Sequence, residues 1–365
     1  MMYQGNLSSL TSGYSQAALA HLRSLVEVGF DDIVIRPEGG AIPWGHFPRW
    51  LDPLRRANGT TRTPPLIHST ADQLATFPPL GENPEPRIAM TALDTDSLPR
   101  WAAVGINNAF TRMIVPSLHS KAAAERAGVT IPVVAIPHPV GEPLWTLPEV
   151  DKDPDLYLFY SIGSWNARKN PEALVRAYCR AFPDPEKEKV RLSLKLTAPE
   201  AVLMEIEEIC KEEARNAGQT PPPDWTRSDV IAHAAYLSDK AVLEYHAYGD
   251  CYVTACRGEA WGIAAFQAAV CGRPLIAPDW GAYPEYLSEE RGDILVPYET
   301  VPVSGMSGLL HYTGGQQWAD PDIDAMAEAM RTMYADKRRN VDASKLREDH
   351  SWEKLGHALK DALHS

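Results

Sequence analysis

The chain has 365 residues, 44% hydrophobic and 23% charged, with a formal net charge of -13 at pH 7. That length predicts two domains, and the acidic balance disfavours broad nonspecific contact with duplex DNA or anionic lipid surfaces. No apolar run is long enough to span a bilayer, residues 1–6 carry no signal-peptide pattern, and the five scattered cysteines form no C-x2-C pair, so neither a disulfide framework nor a zinc site is expected and a reduced, cytoplasmic setting is.

In chain order, Gly13-Tyr14 opens a helix over 15–28, with Ala18, Leu19, Leu22, Leu25 and Val26 at helical spacing. Gly29 ends it, and a strand follows at 33–35. Residues 37–87 hold many prolines, together with Trp44, Trp50 and Arg55-Arg56. They read as a loop-rich stretch of the kind that shapes an acceptor site, and Arg55, Arg56 and Arg62 come nearest to a basic patch. A strand at 87–91 leads to Asp94 and Asp96, either of which can cap a helix. Another strand and turn, 113–117, places Ser117 as the cap of a helix through 121–127, which Gly128 stops. The strand and exit turn at 133–138 end this half on Pro137-His138-Pro139; His119 and His138 also read as plain surface residues.

A linker rich in proline and charge covers 142–154. A buried strand at 156–162 then runs into Gly163-Ser164-Trp165-Asn166-Ala167-Arg168-Lys169-Asn170, with Pro171 opening a helix. Two adjacent cations at the mouth of a parallel strand suit a diphosphate, although they also suit a solvated helix cap with a salt bridge. A strand at 190–196, an acidic amphipathic helix at 200–214, a strand at 230–232 and a helix at 239–248 follow. The strand at 250–254 enters Gly258-Glu259-Ala260-Trp261-Gly262, and an apolar helix spans 263–270 before Gly272, Pro274 and a strand at 275–277. A strand, a tight loop and a helix start together favour an anion, because backbone N–H groups and the positive dipole end converge there. Helices at 323–334 and 352–363 finish the chain. This alternation predicts an α/β protein with parallel sheets covered on both faces.

Two stretches carry a family resemblance. Glu259 and Gln267 have seven residues between them, and the Arg168-Lys169-Asn170 step lies about ninety residues upstream. This arrangement resembles the Glu-x7-Glu and phosphate-loop motifs of the retaining family 4 glycosyltransferases (glycosyl transferases group 1), which have the GT-B fold. The resemblance implies two Rossmann-like domains facing a central cleft: an acceptor domain at 1–145 and a nucleotide-sugar donor domain at 146–345. It also implies a C-terminal helix at 346–365 crossing back to the first domain.

By the same resemblance, Gly163, Ser164, Arg168 and Lys169 meet the donor diphosphate, with Ser164 standing where some relatives carry another arginine. Glu259 contacts sugar hydroxyls, and the N–H groups of Trp261, Gly262 and Ile263 face the leaving group. Gln267 takes the ribose position as a neutral, weaker acceptor than the family's glutamate. Tyr236 and Leu237 fall near the base. Gly13 fits the family's helix-head glycine, Asp94 its cleft acid, and His138 its Pro-His-Gly turn, with Pro139 replacing the glycine. The implied catalytic set is Glu259, Arg168, Lys169, His138 and Asp94. The expected activity is retaining transfer from a UDP- or GDP-linked sugar to an acceptor hydroxyl, with no metal or other cofactor. A glycan, a protein, a small molecule and a modified nucleobase remain open as acceptors. A nucleotide-sugar epimerase of the same fold and a non-catalytic nucleotide-sugar-binding module, the latter supported by Gln267, are the alternatives.

Overall fold

Short apolar runs separated by helical segments can pair in parallel, because each crossover is long enough to return the chain to the same edge. The computed structural model describes the chain except residues 6, 8–11, 31–32, 38–47, 56–63, 82–84, 143, 185–186, 223–224, 235–236, 314 and 365. Trp44, Arg56, Arg62 and Tyr236 therefore lie outside the described residues. The chain forms two units. One comprises Met1–Gly141, Ser307–Gln317 and Arg347–Ser365; the other comprises Glu142–Met306 and Trp318–Leu346.

In the first unit the strands are β1 (Met2–Gly5), β2 (Val34–Pro37), β3 (Leu66–His68), β4 (Ile88–Met90), β5 (Arg112–Val115) and β6 (Val133–Ala135). They form one parallel sheet in the order β2-β1-β3-β4-β5-β6. Helices α1 (Gly13–Glu27), α2 (Ala71–Leu74), α3 (Arg100–Ala109) and α4 (Leu118–Arg126) connect them. Alternate strand residues feed two separate cores. Tyr3, Leu66 and Ile88 pack with Leu22 and Leu25 of α1, while Ile67, Ala89 and Met113 pack with Leu74 and Ile106. Both faces are apolar, as a covered parallel sheet requires.

The second unit repeats the plan. Its strands are β7 (Tyr157–Ser164), β8 (Val190–Thr197), β9 (Val230–His233), β10 (Cys251–Val253), β11 (Leu275–Pro278) and β12 (Ile294–Val296), all parallel in the order β12-β11-β10-β7-β8-β9. The helices are α5 (Pro171–Ala181), α6 (Val202–Asn216), α7 (Asp239–Tyr248), α8 (Ile263–Val270), α9 (Tyr283–Tyr286) and α10 (Ile323–Ala335). A two-stranded sheet, β13 (Tyr298–Pro302) with β14 (Gln317–Pro321), lies between α9 and α10 in the chain. The apolar face of α5, Leu174, Val175 and Tyr178, packs with Phe159, Leu192 and the methionines of α10.

One topological fact places the site. From β7 the chain moves outward through β8 and β9, then returns to lay β10 on the other side of β7. Strand order reverses between β7 and β10, and the crevice beyond the carboxyl ends at such a point is where open α/β sheets bind ligands.

Helices α11 (Ser344–Asp349) and α12 (Trp352–His364) end the chain. α12 packs along α1, adding Leu359 and Leu363 to the first unit's core. Gly356 permits this approach: a Cβ there would lie 2.2 Å from the Ser24 carbonyl oxygen.

The stretch at 37–87, read as loop-rich, contains β3 beside β1 near the middle of its sheet. Pro64 and Pro65 precede it and it is only three residues long, so no alternation signals it.

Candidate functional site

The carboxyl end of β7 becomes a tight loop. Gly163 leaves open space where a side chain would stand, and the Trp165 N–H donates to the Thr197 carbonyl at 3.3 Å. Asn166 then organises the turn. Its side-chain oxygen accepts from the Lys169 N–H at 2.9 Å, and its carbonyl accepts from the Asn170 N–H at 3.0 Å. Asn170 adopts a left-handed backbone with φ 47°, a conformation asparagine tolerates better than most residues. Pro171 follows as the first residue of α5. The turn thus presents Arg168 and Lys169 side by side at the reversal point.

The loop after β10 is joined to it by several contacts. The Arg257 N–H donates to the Arg168 carbonyl at 2.8 Å, and its guanidinium reaches the Ala167 carbonyl at 2.9 Å and Asp320 at 2.7 Å. Arg168 donates to the Gly258 carbonyl at 2.7 Å and stands 3.7 Å from Glu259 Oε1. The Lys169 ammonium pairs directly with Glu259 Oε2. The Cys256 thiol lies 3.1 Å from the Gly258 carbonyl oxygen and 3.6 Å from Glu259 Oε2. Glu259 is only 8% exposed. Burial pushes its carboxyl up, but Lys169 and Arg168 outweigh that and hold it below the usual carboxylate range.

Two glycines make room for Glu259, one at its backbone and one at its side chain. Gly281 has φ +67°, and a Cβ there would sit 2.4 Å from the Glu259 carbonyl oxygen, which accepts from the Ala282 N–H at 3.3 Å. Gly262, with φ +84°, caps α8, and a Cβ there would come 3.1 Å from Glu259 Cγ. A pocket lined by Gly163, Ser164, Lys169, Glu259, Gly262 and Tyr283, among others, opens between the loops and holds about 30 Å³.

The remaining sequence candidates of this unit fall elsewhere. Trp261 is an aromatic anchor, 2% exposed, with ring centroids 5.0 Å from Phe266 and 5.1 Å from Tyr286. Ile263 is the first residue of α8. Gln267, on the same helix, is outside the pocket lining and lies beside the His246 ring, whose pKa burial pushes down to about 3. Leu237 is half-buried next to Ser238, whose side chain accepts from the Ala241 N–H at 3.3 Å and caps α7.

In the first unit, Gly13 is the exposed first residue of α1, whose cap is the Ser12 side chain accepting from the Ser15 N–H at 3.1 Å. Asp94 accepts from the Tyr312 hydroxyl at 2.9 Å. His138 Nδ1 stands 3.2 Å from His21 Nε2. His68, paired with the Tyr3 hydroxyl at 2.6 Å, interacts electrostatically with both histidines. Burial pushes His68 and His138 down to about 3 and His21 well below its usual value, so the cluster is neutral at pH 7. Burial likewise pushes the Tyr14 hydroxyl, 3.4 Å from Thr91, up to about 12.

Sequence reasoning missed Cys256, Arg257, Gly281 and the His21–His138 contact. His21 alone carried a signal, since it falls on the inward face of α1 with Ala18, Leu22 and Leu25.

No protein-family model matches the chain, and no curated protein matches it. Solved structures do. Sucrose-phosphate synthase from Thermosynechococcus elongatus aligns with TM-score 0.67 and 16% identity over 100% of this chain and 98% of that one. Trehalose-6-phosphate synthase OtsA aligns with TM-score 0.62 and 11% identity over 100% and 98%. A mutant of S. aureus TarM in complex with fondaparinux, α-GlcNAc-glycerol and UDP aligns with TM-score 0.58 and 11% identity, over 82% of this chain. The chain spans just over half of TarM's length, 55%. These neighbours are GT-B glycosyltransferases, and the GT-B fold is the fold of this chain.

Proposed function

We propose that this chain is a retaining, family 4-like glycosyltransferase that moves a sugar from a UDP- or GDP-linked donor to an acceptor hydroxyl. The observation that carries this reading is the meeting of Lys169, Arg168 and Glu259 at the strand-order reversal between β7 and β10. Breaking the bond to the diphosphate places negative charge on the leaving group. An ammonium and a guanidinium positioned there stabilise that charge as it develops, and the reading assigns it to them rather than to a metal. Glu259 accepts hydrogen bonds from the donor sugar, while the N–H groups of Gly262 and Ile263 open the first turn of α8 toward the same anion. Gln267, half-exposed on that helix, is the proposed ribose contact, and Tyr236-Leu237 the base-side segment. The acceptor attacks from the face the diphosphate leaves. Neighbours of the same fold supply support, one of them in complex with UDP.

Incubating the protein with UDP-, GDP- and ADP-sugars in the presence of a chelator tests this. Slow release of free sugar with retained configuration, from one nucleotide class, is the expected result. Release of an epimer would replace this reading with epimerase chemistry, and thermal stabilisation by a donor without turnover would leave a binding module.

A further inference from the structure

The proposed phosphate cation already has an anionic partner within the protein. Lys169 is held by Glu259 with side-chain exposures of 26% and 11%, so the pair is screened less than one on the open surface. A diphosphate that draws the Lys169 ammonium to itself does so against Glu259, which already neutralises that charge.

The cost of that step depends on what arrives. A full donor brings sugar hydroxyls that replace Lys169 as partners of the carboxylate. A bare nucleoside diphosphate brings none. Glu259 then keeps Arg168 at 3.7 Å and the Cys256 thiol at 3.6 Å but loses its closest cation while largely buried, which is the costly way to break an ion pair.

We propose that Glu259 is an internal competitor for Lys169, making the pocket prefer the sugar-bearing donor over the diphosphate product and driving product release. This rests on the reading of the pocket as a nucleotide-sugar site. Calorimetric titration of UDP, GDP and inorganic pyrophosphate into wild type, Glu259→Gln, Glu259→Ala, Lys169→Ala and the Glu259→Gln/Lys169→Ala double variant tests it. Removing the carboxylate charge is expected to tighten the bare diphosphate roughly tenfold or more in both Glu259 variants, and the gain should vanish when Lys169 is also absent. Unchanged or weaker diphosphate binding in both Glu259 variants, with wild-type binding intact, overturns the competition and leaves the transferase reading standing. A gain that persists without Lys169 also overturns it. If neither diphosphates nor nucleotide sugars bind the wild type, the underlying assignment of the pocket fails instead.

Discussion

Lys169 and Gly281 act on the same carboxylate from different directions. Lys169 supplies charge and is a quarter exposed, with no part in the second unit's core. Lys169→Ala should weaken donor binding by about 1.5–3 kcal/mol, or roughly ten- to hundredfold, for the loss of one charge-assisted contact. Melting temperature should fall as well, because Glu259 loses its closest cation while largely buried, so donor binding is read by calorimetry well below the transition; equal donor binding there would reject the phosphate role. Gly281 supplies room. Its φ of +67° already strains any other residue, and an added Cβ would press on the Glu259 carbonyl. Gly281→Ala should therefore cost on the order of 1–3 kcal/mol in stability and loosen donor binding as well; a denaturation midpoint and donor affinity matching wild type would show that this contact does not hold Glu259. Spacing made Arg168, Lys169 and Glu259 legible as a group, because each sits in a loop whose flanking strand and helix are strongly patterned. Cys256 and Gly281 were not legible, since their importance lies in contacts with one loop that no local pattern encodes. The His21–His138 contact spans 117 positions and is equally invisible to periodicity.

Among the elements, α8 was readable at Ile263–Val270 because an uninterrupted apolar run lies between Gly262 and Gly272, and both glycines adopt positive φ. Strand β3 was hidden because three residues after a proline pair cannot display a period. β1 was also missed, with Gln4 and Gly5 breaking its apolar character. The α1–α12 contact offers a test at this scale. A methyl group at Gly356 would lie 2.2 Å from the Ser24 carbonyl, so Gly356→Ala must push the helices apart. Overpacking of this kind costs about 1–3 kcal/mol, and a lowered urea midpoint is the expected measurement. A midpoint equal to wild type would mean the two helices have slack that the structure does not show.

At the scale of the whole molecule, acid should be the more damaging direction of pH change. His68, His138 and His246 are buried with pKa values pushed from 6.5 down to about 3, and the unfolded chain releases them to their ordinary value. Above about 6.5 they are neutral in both states and exert no pH-dependent pull. As pH falls from there toward about 3, the unfolded state takes up protons that the folded state refuses, so stability is lost progressively through that window. At pH 5 the loss is on the order of 2 kcal/mol for each such histidine. Melting temperatures at pH 7.5 and pH 5 should separate by several degrees, and His68→Gln should narrow the gap. A wild-type melting temperature that is flat across that range would contradict the burial of these rings.

Finally, the last helix affects how the protein is made. The ribosome delivers residues 1–141 well before residues 359–363, yet Leu359, Ala362 and Leu363 belong to the same apolar core as Met1, Tyr3 and Leu22. Domains emerging during synthesis ordinarily fold from the N-terminus onward. Here the second unit has all its strands and helices through Leu346 while the first still lacks part of its core. The unit that is begun first is completed after the second, and it must wait with an open apolar surface until residues 359–363 have been made.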